Sequence, residues 1–209
     1  MLATRNRKKL TELRRITEAS VPGIEVLGLD DVEAYDVPAE TEPTFAGNAL
    51  IKARAAVGAT GVPALADDSG LCVDALNGMP GVLSARWSGR AKDDEANNAL
   101  LLAQLADVPD SRRGASFFCA MALVLPDGAD TVETGELRGR LLRAPQGAGG
   151  FGYDPLFVAD GQSVSNAELA PADKDAISHR GRALRAIVPA VTAALRRPSR
   201  RPDLRIRAF

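Results

Sequence analysis

The residue pattern predicts an α/β protein with a mixed sheet. Helical and strand periodicities interleave along the chain, as they do when helices cover a sheet. One strong hairpin pattern intrudes on that alternation, so the sheet is not expected to be purely parallel. With 209 residues, 45% of them hydrophobic and 25% charged, the chain can bury roughly 70% of its unfolded surface and needs no covalent staples.

Met1 to Thr4 reads as the end of a short strand. Asn6 to about Ser20 reads as a helix with Leu10, Leu13 and Ile16 on one stripe. Pro22-Gly23 ends it, Ile24 to Leu29 reads as a strand, and the acidic residues 30 to 43, with two prolines, read as a loop. Thr44 is a candidate cap for an alanine-rich helix reaching Ala59. Val62 to Ala66 reads as a short buried strand that Asp67-Asp68-Ser69-Gly70 breaks, with a second short strand over Leu71 to Leu76. Asn77-Gly78 and Pro80-Gly81 mark turns. Asp93 to Ala106 is a leucine-rich helix capped by Asp93 or Asp94. Ala115 to Leu125, the turn Pro126-Asp127-Gly128 and Thr131 to Leu142 form the hairpin. Gly147 to Gly152 is a glycine-rich loop, and Leu156 to Val158 is a short strand. A last helix runs from His179 to about Arg197, with Pro189 expected to bend it.

Composition excludes several classes of function. No apolar run approaches the roughly 20 residues that cross a bilayer, and the opening MLATRNRKKL lacks the apolar core of a secretory signal. The cytoplasm is the expected location, with no membrane partner. The net charge of −1 argues against general nucleic-acid binding. One histidine and two cysteines, Cys72 and Cys119, leave no usual zinc site, and both thiols are expected to be reduced core residues. Residues 197–209 form an Arg/Pro-rich tail, expected to be poorly ordered.

Five segments carry candidate chemistry. Thr4 to Lys9 (TRNRKK) lies between a strand end and a helix start, where free N–H groups and basic side chains suit phosphate; a solvated basic turn is the alternative. Glu40 precedes Asn48 and Lys52, which stand four apart and share a helix face; from this stretch alone a solvated helix surface is the stronger reading. Asp67 and Asp68 follow an apolar stretch, where unpaired carboxylates are costly to bury. Carboxylates at a strand end can hold Mg²⁺ or act as a base on water; a capping Asx-type turn is the other reading. Phe151-Gly152-Tyr153-Asp154 offers aromatic faces for a base, or two core aromatics after a loop. Ser178-His179-Arg180, with Lys174 before it, puts a basic turn at a helix start, which favours an anionic ligand or a purine edge; a structural histidine is the commoner reading of such a lone residue.

In this order, LATRNRKKLTEL, ETEPTFAGNALIKARAA, ALADDSGLCVDALNGMPGVLSARWSG, GGFGYDPLFV and SHRGRAL resemble the non-canonical purine NTP pyrophosphatase family, the inosine triphosphatase-like XTP/dITP diphosphatases. The resemblance spans Leu2 to Arg196. It implies one elongated two-lobed domain over residues 1–196, in which helices flank a long mixed, twisted sheet and a nucleotide cleft lies between the lobes. It implies a homodimer and a need for Mg²⁺. By position it makes Asp68 the proton acceptor and a metal ligand, Glu40 the other metal ligand, and Lys52 a lysine near the phosphates. Thr4, Asn6 and Lys9 match the phosphate loop. Ser69, Phe151, Gly152, Tyr153, Asp154, Lys174, His179 and Arg180 match substrate contacts. Two family glycines of the first loop are Arg5 and Lys8 here, and Gly47 stands where an acidic residue often precedes the asparagine.

The implied reaction is attack of water on the α-phosphorus of ITP, dITP or XTP, with pyrophosphate leaving. Asp68, with Asp67 beside it, would orient or deprotonate that water, and Lys52 and Lys9 would stabilise phosphate oxygens. Two rivals differ in substrate or class. One is a pyrophosphatase of modified pyrimidine or methylated nucleotides. The other is a nucleotide-binding protein without turnover.

Overall fold

The computed structural model describes residues 1, 10–11, 14–17, 27–89 and 93–196. Four strands form one sheet in the order β1 (Ala64–Val73), β2 (Gly114–Val124), β3 (Asp130–Leu141) and β4 (Phe157–Ala159), each antiparallel to its neighbour. The expected hairpin is β2–β3. Of the two further strands expected over residues 1–4 and 24–29, only Met1 and residues 27–29 are described; residues 27 and 28 lie outside any strand, and Leu29–Asp31 is a 3₁₀ turn. Met1 donates its N-terminal N–H to Pro63 O and accepts from Leu65 N, the stepping pattern of a parallel neighbour.

Helix α1 (Phe45–Thr60) starts at Thr44, whose side chain accepts from the Gly47 N–H, and ends at Gly61 in the left-handed region. Ala49, Ala53 and Ala56 repeat at helical spacing and are fully buried against Ala64, Ala66 and Ala122. Methyl groups on both sides let the helix lie close on β1 and β2. On the opposite face, α4 (His179–Arg196) buries Ala183, Leu184 and Ile187 against Cys119, Met121 and Leu123 of β2. It runs on through Pro189. Its cap is Ser178, whose Oγ accepts from Gly181 N at 2.9 Å. Helix α2 (Asp94–Gln104), capped by Asp93, covers the far end of the sheet with Leu101 and Leu105 against Leu71, Phe117 and Leu156. Residues 10, 11 and 14–17 are helical, as the leucine stripe predicts.

One expectation is overturned. Asp67-Asp68-Ser69-Gly70 does not break a strand: β1 runs unbroken from Ala64 to Val73, and all four residues pair with β2. Gly70 is required by close approach and not by a turn, because a Cβ there would meet Gly81 O and Ser84 Oγ, each at 2.4 Å. The short 3₁₀ segment Gly81–Arg86 lies back on β1, and Ser84 Oγ accepts from Leu71 N at 2.9 Å. A short helix, α3 (Pro171–Ile177), which the sequence pattern does not mark, carries Lys174. Neither Cys72 nor Cys119 is in a disulfide; Cys119 is buried as expected, whereas Cys72 is only partly buried.

Candidate active site

Strand alternation divides the dipeptide Asp67-Asp68 between the two faces of the sheet. Asp68 lies on the α1 face. Its Oδ1 accepts from Lys52 Nζ at 3.2 Å and its Oδ2 from Asn48 Nδ2 at 3.2 Å. Lys52 Nζ also donates to Glu40 Oε1 at 2.9 Å. The second oxygen of Glu40 accepts from Arg86 Nη1 at 3.1 Å, and Arg86 Nη2 donates to the Glu40 carbonyl. Asn48 is fully buried, and its Oδ1 accepts from Glu42 N at 2.9 Å, which ties the acidic loop to β1. Asn48 and Lys52 therefore do share a face, and Asp68 is what that face meets.

Burial works against the charge on Lys52, but Asp68, Asp67 and Glu40 together outweigh it and hold the ammonium pKa above the ordinary lysine value. Glu40 and Asp68 converge on one ammonium. Their oxygens are the hard donors that Mg²⁺ prefers, and Mg²⁺ commonly takes one or two carboxylates and keeps several waters. Among the described residues no group of three or more His, Cys, Asp and Glu side chains could hold a metal, so those residues offer this pair of carboxylates rather than a closed cage. The donor set fits.

Asp67 lies on the α4 face, where its Oδ2 accepts from Arg180 Nε at 3.4 Å and from Ser69 Oγ at 3.3 Å. Arg180 Nη2 donates to Ser69 Oγ at 3.0 Å. Both charged side chains are almost fully buried, so each makes the burial of the other tolerable. Asp67 therefore does not stand beside Asp68 as a second group on the water. It holds the guanidinium of Arg180.

Arg180 and Lys174 meet again at Phe151. Lys174 Nζ lies 5.0 Å and Arg180 Cζ 5.6 Å from the ring centroid, within the range of cation–π attraction. Lys174 Nζ donates to Asp154 Oδ2 at 2.6 Å, and the same oxygen accepts from Phe151 N at 2.8 Å. Asp154 is buried and braces the loop. Gly152 is in the left-handed region, and its N–H is bound by Asp94. Tyr153 packs in the core with Leu101 and Phe117, and its hydroxyl donates to Ser84 O at 2.9 Å. Burial, with the Asp94 charge adding to it, pushes the Tyr153 pKa well above the ordinary value, so it remains a donor. His179 is buried with its ring stacked on Phe117 at 4.9 Å.

The structure thus brings Glu40, Lys52 and Asp68 together on one face. It brings Ser69, Phe151, Lys174 and Arg180 together on the other. Thr4, Asn6 and Lys9 lie outside the described residues. Sequence reasoning missed Arg86, Asp94 and Asn98. Arg86 sits in the quoted segment GVLSARWSG, and Asp94 was visible only as a possible cap.

A family model described as the Ham1 family matches residues 1–190. A protein named dITP/XTP pyrophosphatase from Nocardia farcinica is 64% identical over 194 residues, covering 92% of this chain and 94% of the relative. A protein of the same name from Frankia alni is 64% identical over 190 residues, covering 88% and 93%. The solved structure of a nucleoside-triphosphatase, dITP/XTP pyrophosphatase, from Mycobacterium abscessus is 57% identical, with a TM-score of 0.74, and covers 90% of this chain and 97% of that one. The Staphylococcus aureus Ham1 protein is 36% identical, with a TM-score of 0.81, and covers 92% and 97%.

Proposed function

The chain belongs to the Ham1 family, and from that membership we propose that it hydrolyses ITP, dITP and XTP to the monophosphate and pyrophosphate. The observation that carries this reading is the convergence of Glu40 and Asp68 on Lys52 beside the buried Asn48. Two carboxylates and a fixed ammonium in one place suit an anhydride whose oxygens gain charge as it breaks.

In this reading Glu40 and Asp68 would hold a divalent cation, Mg²⁺, which would offset charge on the phosphate oxygens. Asp68 orients the attacking water and takes its proton at a carboxylate oxygen. The water oxygen bonds to the α-phosphorus, and the bond from that phosphorus to the bridging oxygen breaks, releasing pyrophosphate. Lys52, charged throughout the working range, neutralises a phosphate oxygen, and Arg86 holds Glu40 in place. Thr4, Asn6 and Lys9 are assigned to the phosphates by family position.

The base is assigned to the opposite face. Phe151 offers its ring for stacking, and Lys174 and Arg180 offer donors to a 6-oxo group. An adenine amino group would leave those donors badly paired, a mismatch worth on the order of a 10⁴-fold discrimination. Asp154, Asp67 and Ser69 hold these cations in position, and Gly152, Tyr153 and His179 shape the pocket.

The test is pyrophosphate release from ITP, XTP, dITP, ATP and GTP with and without Mg²⁺. Rapid Mg²⁺-dependent release from the first three alone is expected; a folded protein that releases none overturns the assignment. A cytoplasmic homodimer belongs to the same reading. Light scattering should then give twice the 22.0 kDa chain mass.

A further inference from the structure

Helix α2 reaches the glycine-rich loop with two side chains. Asp94 Oδ2 accepts from the Gly152 N–H at 2.8 Å, and one turn later Asn98 Nδ2 donates to the Gly152 carbonyl at 3.0 Å. The two residues are four apart and share a helix face. Both polar backbone groups of Gly152 are therefore fixed by one rigid element.

Gly147, Gly149, Gly150 and Gly152 fall within six residues, and three of them have positive φ. Glycine loses more freedom on ordering than any other residue, so this stretch holds one shape only where something external imposes it. Phe151 lies directly before Gly152, and its ring faces Lys174 and Arg180. Its own N–H goes to Asp154, and Tyr153 is anchored through Ser84. The Gly152 peptide is the remaining hinge of the Phe151 ring.

We propose that Asp94 and Asn98 are positioning residues that set the Phe151 ring against Lys174 and Arg180, and so set the preference for a 6-oxopurine. This rests on the reading that those three side chains hold the base. Neither Asp94 nor Asn98 touches the carboxylate cluster at Glu40 and Asp68 through any contact described. The consequence is a split: the clamp governs how the base is held, and the phosphate chemistry continues without it.

The experiment measures kcat and KM separately for ITP and ATP, at saturating Mg²⁺, on the full chain. Asp94 is exposed, so Asp94→Ala is expected to fold. It should raise KM for ITP about tenfold, the equivalent of one good hydrogen bond, with kcat nearly unchanged. The ITP-to-ATP ratio of kcat/KM should fall by a similar factor. Asp94→Asn keeps an oxygen that can accept from Gly152 N–H and should recover most of the loss. Glu95→Ala also removes a first-turn acid of α2 but has no part in the clamp, so it should behave as wild type. Wild-type KM and discrimination in folded Asp94→Ala, or an equal loss in Glu95→Ala, overturns the proposal. Phe151→Leu separates this from the underlying reading. If it too leaves KM for ITP unchanged, the base assignment itself fails and the proposal falls with it.

Discussion

At the scale of single residues, Asp68 and Lys52 make the sharpest demands. Asp68→Asn retains the shape of the side chain and one acceptor for Lys52 or Asn48, so the fold should persist by circular dichroism. Turnover of ITP should drop by about 10³-fold, the usual weight of a positioned base; near-normal turnover would remove Asp68 from the chemistry. Lys52 bears on pH. Its pKa is raised above the ordinary lysine value of 10.5, so the stability it lends is complete below that value and is lost only as pH climbs through the raised one. Between about pH 6 and 9 it stays charged. The pH–rate profile of Lys52→Arg, whatever its height, should parallel that of wild type there; a limb present in one and missing from the other would show Lys52 titrating during catalysis. The shared face of Asn48 and Lys52 was legible in the sequence because a helix fixes the geometry of a four-residue interval. The partners of Asp67 were not, because Arg180 lies 113 positions away.

At the scale of elements, α4 and β3 touch so closely that one methyl group decides their spacing. A Cβ on Gly135 would meet His179 O at 2.1 Å and Ala183 N at 2.6 Å, both backbone atoms. Gly135→Ala should therefore cost about 1–3 kcal/mol or more by chemical denaturation. Because His179 and Arg180 begin that helix, it should also raise KM for ITP. Arg113 tests a different kind of join. Almost fully buried, it donates to the carbonyls of Leu141, Leu105 and Leu142 at 3.1, 2.7 and 2.9 Å, fastening the end of β3 to the residue that follows α2. Arg113→Met fills similar space but strands those carbonyls. We expect a loss of about 2–4 kcal/mol from unmade hydrogen bonds, with kcat at low temperature retained. An unchanged melting temperature would mean the carbonyls find other donors. The sequence gives no warning of either join, since both depend on what lies across the sheet. It marks the hairpin and α1 clearly because their signals are local: a Pro-Asp-Gly turn, a capping threonine, buried alanines at helical spacing. It misreads β1 for the same reason. Two aspartates and a serine look like a break until β2 and two cation partners are in place around them.

At the scale of the whole molecule, the residues proposed for catalysis and those proposed for the base lie on opposite sides of one sheet, joined along β1. Chelation of divalent metal should abolish pyrophosphate release without unfolding the protein. Restoring Mg²⁺ to about 100 times its dissociation constant should stabilise the fold by about 2.7 kcal/mol, and the gain should vanish in a Glu40→Gln, Asp68→Asn double variant. A Mg²⁺-induced rise in melting temperature that survives in that variant would place the metal elsewhere. The family resemblance supplied the list of site residues, but the division of that list into two faces depends on pairing register, which no motif states.

That division turns chain length into a control. A strand has a two-residue period, so deleting a single residue from β1 ahead of Asp67 while the downstream pairing frame is kept would exchange the faces of every upstream side chain, and sliding the frame instead would turn Asp68 toward Arg180 and Asp67 toward Lys52. The composition would be almost unchanged and both carboxylates would still be present, yet each would confront the other's partner. Along this strand, parity carries as much information as identity.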